Sequence, residues 1–565
     1  MARSGGEILI DALVGHGITH VFGVPGESYL AALDAMHARA DRITFIVCRH
    51  EAGAANMAEA FAKLTGRPAA CFVTRGPGAT HAAIGIHTAF QDSTPLLLLI
   101  GQVARETEGR EAFQEFDVAR LFGWTTKWAA EVREARRLPE LVARAVQTAT
   151  SGRPGPVALS LPEDMLVEVA EVGDVPAVVP VEAHPGAGDM ERLRALLLSA
   201  ARPLMIVGGG GWTAEAVADI AAFAEAFDLP VAASFRCQDI VPPGHPCHVG
   251  ELGTGTGPDL RQRVAAADVL LVVGARLGEI TTGGYDLVKA PVPDQRLIHV
   301  HADLGELGRV YHCALGLAAS MAPFARAARA LPWPPQPLAW ADWRASARAE
   351  FVAGRAAGGT SPGPLDMNVV MAELRQRLPA DTIVVNDAGN FSGWAQRFWP
   401  YGPWRSQLAP TSGAMGYGVP AAVAASLVAP QRRTLCFVGD GAFLMAGQEL
   451  ATAMQYGATP LIILGNNGMY GTIRMHQERN YPGHVMGTGL ANPDFAAFAR
   501  AFGCAGFAVS QTAEFAPALA AALAAMDAGL PALIELRLDP EVISTRTTLT
   551  AVRAAGEAAQ QQAKP

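Results

Sequence analysis

A chain of 565 residues exceeds what one hydrophobic core can organise, so two to four domains are expected. A hydrophobic fraction of 50% with a net charge of −9 fits a soluble α/β enzyme and argues against a nucleic-acid binder, which would show a basic face. Seven scattered cysteines without a CxxC pair fit free thiols in a reducing compartment, and no apolar run is long enough to span a bilayer.

The N-terminus, MARSGGEILIDALVGHG, lacks the long apolar core of a signal peptide, so a cytoplasmic location is expected. From there to residue 170 an apolar strand, a glycine or polar turn and a helix alternate. The strands lie in THVFGVPGES, ITFIVCRHE, AACFVTRGPGAT and PLLLLIGQV, an order that predicts a parallel sheet. The apolar run 43–47 ends in Cys48-Arg49-His50-Glu51 and an alanine-rich helix, so Glu51 stands at a strand tip backed by glycine and alanine. Exposed N–H groups and the macrodipole favour any acid in the first turn of a helix. A catalytic carboxyl would use the same poorly solvated place.

A Val/Pro-rich linker follows. A central Rossmann-like block, 188–330, holds PLMIVGGGGW, VLLVVGARLGE and RLIHVHADLGE. LPWPPQPLAW and AAGGTSPGP mark a second linker. The third block, 362–545, holds TIVVNDAGN, TLCFVGDGAF, PLIILGNNG and ALIELRLDP. The tail after Arg546 is rich in alanine and glutamine and reads as loose. The first and third blocks each carry CFV before a glycine turn, at Cys71 and Cys436, a hint of shared topology. The expected fold class is α/β, with three doubly wound parallel-sheet domains at 1–170, 188–330 and 362–545.

In the third block Gly439-Asp440-Gly441 closes one strand and Asn466-Asn467 the next, with 24 residues between them. Both reach the carboxyl edge of one parallel sheet, where open α/β folds bind ligands. Asp440 offers a carboxylate oxygen, Asn467 an amide oxygen and Met469 a backbone carbonyl. Such hard oxygens suit Mg2+, which is often held by few protein groups plus phosphate. The N–H groups of Gly441 and Ala442, opening the next helix, suit a diphosphate.

GDG…NN is joined by RHE (49–51), GPGAT (76–80), AFQE (112–115), TKW (126–128), GRPGPV (152–157), MGYGVPAA (415–422) and GQELATAMQYG (447–457). In these motifs the sequence resembles the thiamine diphosphate-dependent 2-oxo acid decarboxylases and carboligases over nearly its whole length. Among them it resembles the acetolactate synthase catalytic subunits in particular. The resemblance implies thiamine diphosphate and Mg2+, and makes the three domains pyrimidine-binding, central and diphosphate-binding. It implies that Glu51 is the activating acid. A carboxyl beside N1′ of the aminopyrimidine promotes the tautomer whose 4′-nitrogen takes the C2 proton, and poor solvation lets that carboxyl hold a proton near neutral pH.

Further roles are implied residue by residue. Gly413 matches the residue whose carbonyl receives the 4′-amino group, and Met415 the apolar prop that bends the cofactor. Ala388, Gly389, Asn390 and Phe391 match a diphosphate-contacting turn. Phe113, Gln114 and Lys127 match active-site walls, Gln114 with a catalytic share. In this family the glutamate domain of one subunit meets the diphosphate domain of another. A homodimer at minimum is therefore implied, with a tetramer open. The other partners implied are small 2-oxo acid, aldehyde and ketone substrates, with no nucleic acid and no membrane.

Three departures bear on substrate. Glu27 and Ser28 in VPGESY border the substrate end, and Glu27 stands where acetolactate synthases commonly have glycine; an acid there suits a proton relay. His476 stands where they carry a tryptophan, His81 where asparagine is usual, and Arg75 where a small residue is usual, which makes the pocket more polar. The central domain should bind FAD in the nearest relatives, and Arg276 and Asp303 are kept. Its turn is shortened to Leu252-Gly253-Thr254-Gly255, however, and Leu317 replaces an acid, so FAD is doubtful. The expected reaction is decarboxylation or carboligation of a small 2-oxo acid. The alternatives are a lyase or decarboxylase of a larger or aromatic 2-oxo acid or 2-hydroxy ketone, and a flavin-linked 2-oxo acid oxidase.

Overall fold

The computed structural model describes residues 2–334, 336–356 and 361–562; residues 335 and 357–360 of the second linker lie outside them. Three six-stranded sheets form, and every pairing within them is parallel. Helices cover both faces of such sheets, which is why the strands read as continuous apolar runs rather than alternating ones. Leu96–Gln102 and Pro156–Pro162 are buried at every position.

The first sheet is ordered Thr44–Val47, His20–Gly23, Ala69–Val73, Leu96–Gln102, Pro156–Pro162, Trp128–Glu131. Numbered along the chain, that order is 2-1-3-4-6-5. The third sheet is Gln407–Leu408, Ile383–Asn386, Thr434–Gly439, Leu461–Asn466, Ala532–Arg537, Ala505–Val509, the same order. Cys71 and Cys436 lie in the third strand of their sheets, so the repeated CFV does mark matching places. The central sheet instead runs 3-2-1-4-5-6, the order of dinucleotide-binding folds.

Parallel strands bring all their carboxyl ends to one edge, and the connections diverge where the order reverses, between the first and third strands. In the first sheet the turns at that point carry Glu27 and Arg75. In the third they carry Ala388–Phe391 and Asp440–Ala442. Helix Glu51–Thr65 packs on helix Gly418–Val428, which merges the first and third domains into one apolar core. Among the described residues no helix is long and apolar enough to cross a membrane.

The tail departs from expectation. It is not loose but forms helix Leu549–Gln562, packed on helix Gly471–Asn480. Leu549 and Val552 are buried, and a Cβ at Gly556 would lie 2.6 Å from the carbonyl oxygens of Glu478 and Arg479, so glycine permits the close approach. Arg553 donates two hydrogen bonds, of 2.8 and 2.6 Å, to buried Glu478. Alanine-rich segments become helical once a packing face exists.

The glycine run of the central domain is closely packed. A Cβ at Gly208 would strike Ser234 Oγ, one at Gly209 the Gly274 carbonyl, and one at Gly210 the Ser93 carbonyl. These glycines therefore serve close packing and do not line an open cradle. Arg276 donates to Gln91, and Asp303 accepts the N–H of Gly305. A cavity among Phe90, Lys127, Arg153, Asp303 and Arg309, between the first and central domains, measures about 200 Å³. Pockets for drug-sized ligands run to roughly 300–1,000 Å³. The purified protein should accordingly be colourless, or carry flavin far below one per chain. A visible flavin absorbance band at one per chain would overturn this reading of the packing.

Candidate active site

Asp440 opens helix Asp440–Ala446 at the edge of the third sheet and is 3% exposed. Its Oδ1 accepts from Gly441 N–H at 2.9 Å; its Oδ2 accepts from Gly468 N–H at 2.9 Å and from Asn492 Nδ2 at 2.7 Å. The loop after Asn466-Asn467 is thereby tied to the carboxylate. Burial lifts the pKa of Asp440, and these donors oppose the shift.

The two asparagines divide. Asn466 is engaged within the protein: its Oδ1 accepts from Asn492 at 2.9 Å and its Nδ2 donates to Glu535 at 2.7 Å. Asn467 Oδ1 accepts only a long bond, 3.3 Å, from Met469 N–H. Asn492 Oδ1 is buried without a partner, an orphaned oxygen beside Asp440. Sequence reasoning missed Asn492, which no motif marks. Asp440, Asn467 and the Met469 carbonyl are hard oxygens of the kind a divalent cation takes.

The neighbouring turn, Ala388–Phe391, is closed by aromatic packing. A Cβ at Gly389 (φ +146°) would lie 2.5 Å from the Phe391 ring, and one at Gly439 would lie 2.8 Å from it. Asn390 Oδ1 accepts from Thr472 Oγ1 at 3.0 Å. Asp387, also unmarked by any motif, ties this turn to the next loop. Its Oδ1 accepts from Ala388 and Gly416 N–H, its Oδ2 from Gly418 N–H, and burial pushes its pKa up to about 6. Gly413 (φ +70°) has open space where a Cβ would be, and Met415 is half-buried at the rim of the shared core. Gly441 packs against the Tyr470 ring, and Ala442 is buried.

On the first sheet Glu51 is the first residue of helix Glu51–Thr65. Glu449, wholly buried in the third domain, accepts from Arg49 N–H at 3.0 and 3.2 Å and from His50 N–H at 3.1 Å. A Cβ at Gly53 would fall 2.4 Å from Glu449 Oε1. The glycine behind Glu51 thus makes room for a carboxylate from another domain. Glu51 Oε2 lies 2.9 Å from His81 Nδ1, and Gly78 backs its Oε1. The AFQE loop leans on the same edge: Gln114 (φ +67°) accepts the N–H of Gly76 at 2.9 Å, and Phe113 is exposed. Glu27 is exposed, 3.5 Å from Arg75 Nη1, while Arg75 Nη2 donates to Glu163 at 2.5 Å. His476 is exposed on helix Gly471–Asn480, one turn beyond Thr472.

Two expected wall residues lie elsewhere in this chain. Ser28 is wholly buried, its hydroxyl bonded to Thr74 Oγ1 at 2.8 Å and packed over Gly101, so it supports the turn from behind. Lys127 precedes strand Trp128–Glu131 and so stands at the opposite, amino edge of the sheet. It donates to the Ser151 carbonyl at 2.7 Å, and burial, against the pull of Asp303, brings its ammonium down to about 8. A motif match fixes the strand but not which end of it a residue occupies.

Comparison with known proteins bears on the whole arrangement. Three family models match in order: the N-terminal TPP binding domain of thiamine pyrophosphate enzymes over residues 3–121, their central domain over 190–328, and their C-terminal TPP binding domain over 387–536. The acetolactate synthase large subunit of Parasynechococcus marenigrum (strain WH8102) is 33% identical over 92% of this chain and 85% of its own. The acetolactate synthase isozyme 2 large subunit of Escherichia coli (strain K12) is 31% identical over 91% of this chain and 92% of its own. The acetolactate synthase large subunit of Corynebacterium glutamicum is 31% identical over 88% of this chain and 81% of its own. With both cofactor-binding domains and the central domain matched, and such relatives spanning most of its length, the chain belongs to the thiamine pyrophosphate enzyme family.

Proposed function

We propose that this chain catalyses thiamine diphosphate-dependent decarboxylation or carboligation of a small 2-oxo acid, in the manner of its acetolactate synthase relatives, with Mg2+ as second cofactor. The observation that carries this is the buried carboxylate of Asp440, bonded to Gly468 N–H in the loop that carries Asn467 and to Asn492, in a chain that also holds Glu51 at a strand tip of the first sheet. Asp440, Asn467 and the Met469 carbonyl would hold Mg2+, and Ala388–Phe391 with Gly441 and Ala442 would line the diphosphate. When bound, the cofactor supplies an electron sink for the carbon left as CO2 departs. Glu51 holds a proton at the pyrimidine end. The Gly413 carbonyl, beside open space, accepts an N–H there. Met415 gives that end an apolar wall, and Gln114 and Phe113 border the substrate.

Among the described residues no hydrogen bond or ion pair joins Glu51 to Asp440, Asn467 or the Ala388–Phe391 turn. Apolar side chains beside both half-sites are exposed: Ile84 at 40%, one turn from His81, and Met445 at 48%, packed on Gly416. Such a surface suits a second copy of the chain, so the reading is of sites completed across at least a homodimer.

A second reading, a larger or more polar 2-oxo acid or 2-hydroxy ketone, is favoured by exposed His476 and by the Glu27–Arg75 pair. Incubation with a panel of 2-oxo acids and aldehydes, with products read by mass spectrometry, decides between the two. An imidazole wall rewards a substrate that carries a matching polar group. His476→Trp should therefore raise kcat/KM for pyruvate relative to the best other substrate; an unchanged ratio would place His476 outside the pocket.

Asp440→Ala should abolish retention of thiamine diphosphate in the presence of Mg2+, because one buried carboxylate links the cation to the sheet. Calorimetry giving wild-type affinity would rule the site out. Glu51→Gln should lower turnover by about 10²–10⁴ with folding and cofactor affinity kept. Wild-type deuterium exchange at cofactor C2 in this variant would remove Glu51 from the role.

A further inference from the structure

His81 lies on helix Gly76–Asp92 with Nδ1 2.9 Å from Glu51 Oε2, and its ring stacks on that of His50 at 4.5 Å and 29°. The His50, Glu51 and His81 donor atoms all lie within 4.8 Å of one another, close enough for a metal. The tautomer argues otherwise. Ala52 N–H donates to His50 Nδ1 at 3.1 Å, which puts the proton of His50 on Nε2 and leaves no lone pair there for a cation. Burial and the neighbouring His81 also lower the pKa of His50, against the pull of Glu51.

From this juxtaposition we propose that His81 is a positioning residue that supplies a proton to Glu51, a role that rests on the thiamine reading of the site. The imidazolium Nδ1–H donates to Oε2, so Oε1, backed by Gly78, is the oxygen left to face the pyrimidine end. As the carboxyl releases a proton from Oε1, the Nδ1 proton passes to Oε2. The carboxyl is neutral before and after, the imidazole goes from cation to neutral, and solvent restores its proton. His81 is 53% exposed along its side chain and Glu51 12%, so the histidine reaches water that the acid does not. An asparagine at 81 could hold Oε2 but not relay a proton.

The other titratable groups facing the pair stay out of the exchange. Tyr29, from the loop after His20–Gly23, and Cys71, from the third strand, are both pushed far up by burial and by Glu51. Glu449 approaches the turn from the third domain and is held by the backbone N–H groups of Arg49 and His50 and by Thr452. Arg49 points away, to Gln455.

The test has two arms. In the first, the holoenzyme is labelled with diethyl pyrocarbonate at about pH 6.5 and the modification of His81 is read by mass spectrometry. Glu51→Ala should raise labelling of His81 about threefold or more, because the ring then loses the oxygen that its Nδ1 is bonded to. Equal labelling overturns the pairing, whatever the reaction proves to be. In the second arm, deuterium exchange at C2 of bound thiamine diphosphate is followed from about pH 5.5 to 8.5 in wild type, His81→Asn and His81→Ala. The wild type should lose rate as His81 loses its proton, His81→Asn should lack that limb, and His81→Ala should be about tenfold slower at the optimum. Superimposable wild-type and His81→Asn profiles overturn proton supply. Wild-type protein that shows no C2 exchange at all sinks the thiamine reading instead, and leaves the first arm to decide the pairing.

Discussion

The position of Glu51 depends on a carboxylate some 400 residues away in sequence, Glu449. The first N–H groups of a helix have no partner within it and need an acceptor. At helix Glu51–Thr65 local capping supplies one, from His50 Nδ1 to Ala52 N–H, and Glu449 of the third domain accepts from the two N–H groups just before the helix, those of Arg49 and His50. Removing the acceptor of buried N–H groups costs about 1–3 kcal/mol each. The strand tip that carries Glu51 is therefore held in register with the third domain as firmly as within its own. Gly53 is the sequence consequence, since any side chain there would displace Glu449.

The same helix shows how polar groups set within the apolar contact fix the register of the two domains. Its packing face is Gly53, Ala54, Ala55 and Ala58, small enough to let backbones approach but short of features that would fix a register. Register comes from buried charge. Glu59 accepts from Tyr417 Oη at 2.6 Å and from Thr94 at 2.8 Å; Lys63 donates to Asp92 at 2.6 Å and to the Ala409 carbonyl at 2.9 Å. Burial pushes Glu59 up to about 7, while Asp92 and Glu59 keep Lys63 charged despite its desolvation. Breaking such a pair from one side costs about 3–5 kcal/mol, because the other charge stays buried. A slid or rotated arrangement would break several at once.

How much of this was legible follows from where the signals lie. Asp440 and Asn467 could be read because each ends an apolar strand at a glycine turn, and parallel pairing forces such ends to one edge. Glu51 could be read for the same reason. Asn492 and Glu449 could not, since each acts from a segment whose own pattern is ordinary and whose partner is set by the tertiary fold. The place of Lys127 could not be read, because the TKW match does not say that the lysine precedes its strand. Ser28 was misplaced because nothing in VPGESY shows that Gly101 leaves room for its hydroxyl behind the turn. The tail was misread because alanine and glutamine say nothing of packing until Glu478 presents a buried partner to Arg553.

The shared strand order of the outer domains explains how one architecture yields two unlike half-sites. In both sheets the chain diverges between the first and third strands. In the third domain both turns at that point are short and glycine-bearing, DAGNF and GDGAF, and they present backbone N–H groups and two buried carboxylates, Asp387 and Asp440. That edge suits an anion and a cation together. In the first domain the corresponding turns carry Glu27 and Arg75, the latter bonded to Glu163, and Glu51 comes one strand further out, after the second strand. Glu51 is thus offset from the switch point and lies on the side where helix Glu51–Thr65 meets the third domain. The offset leaves the two domains with unlike edges, one presenting an acid at a strand tip and the other backbone N–H groups and buried carboxylates.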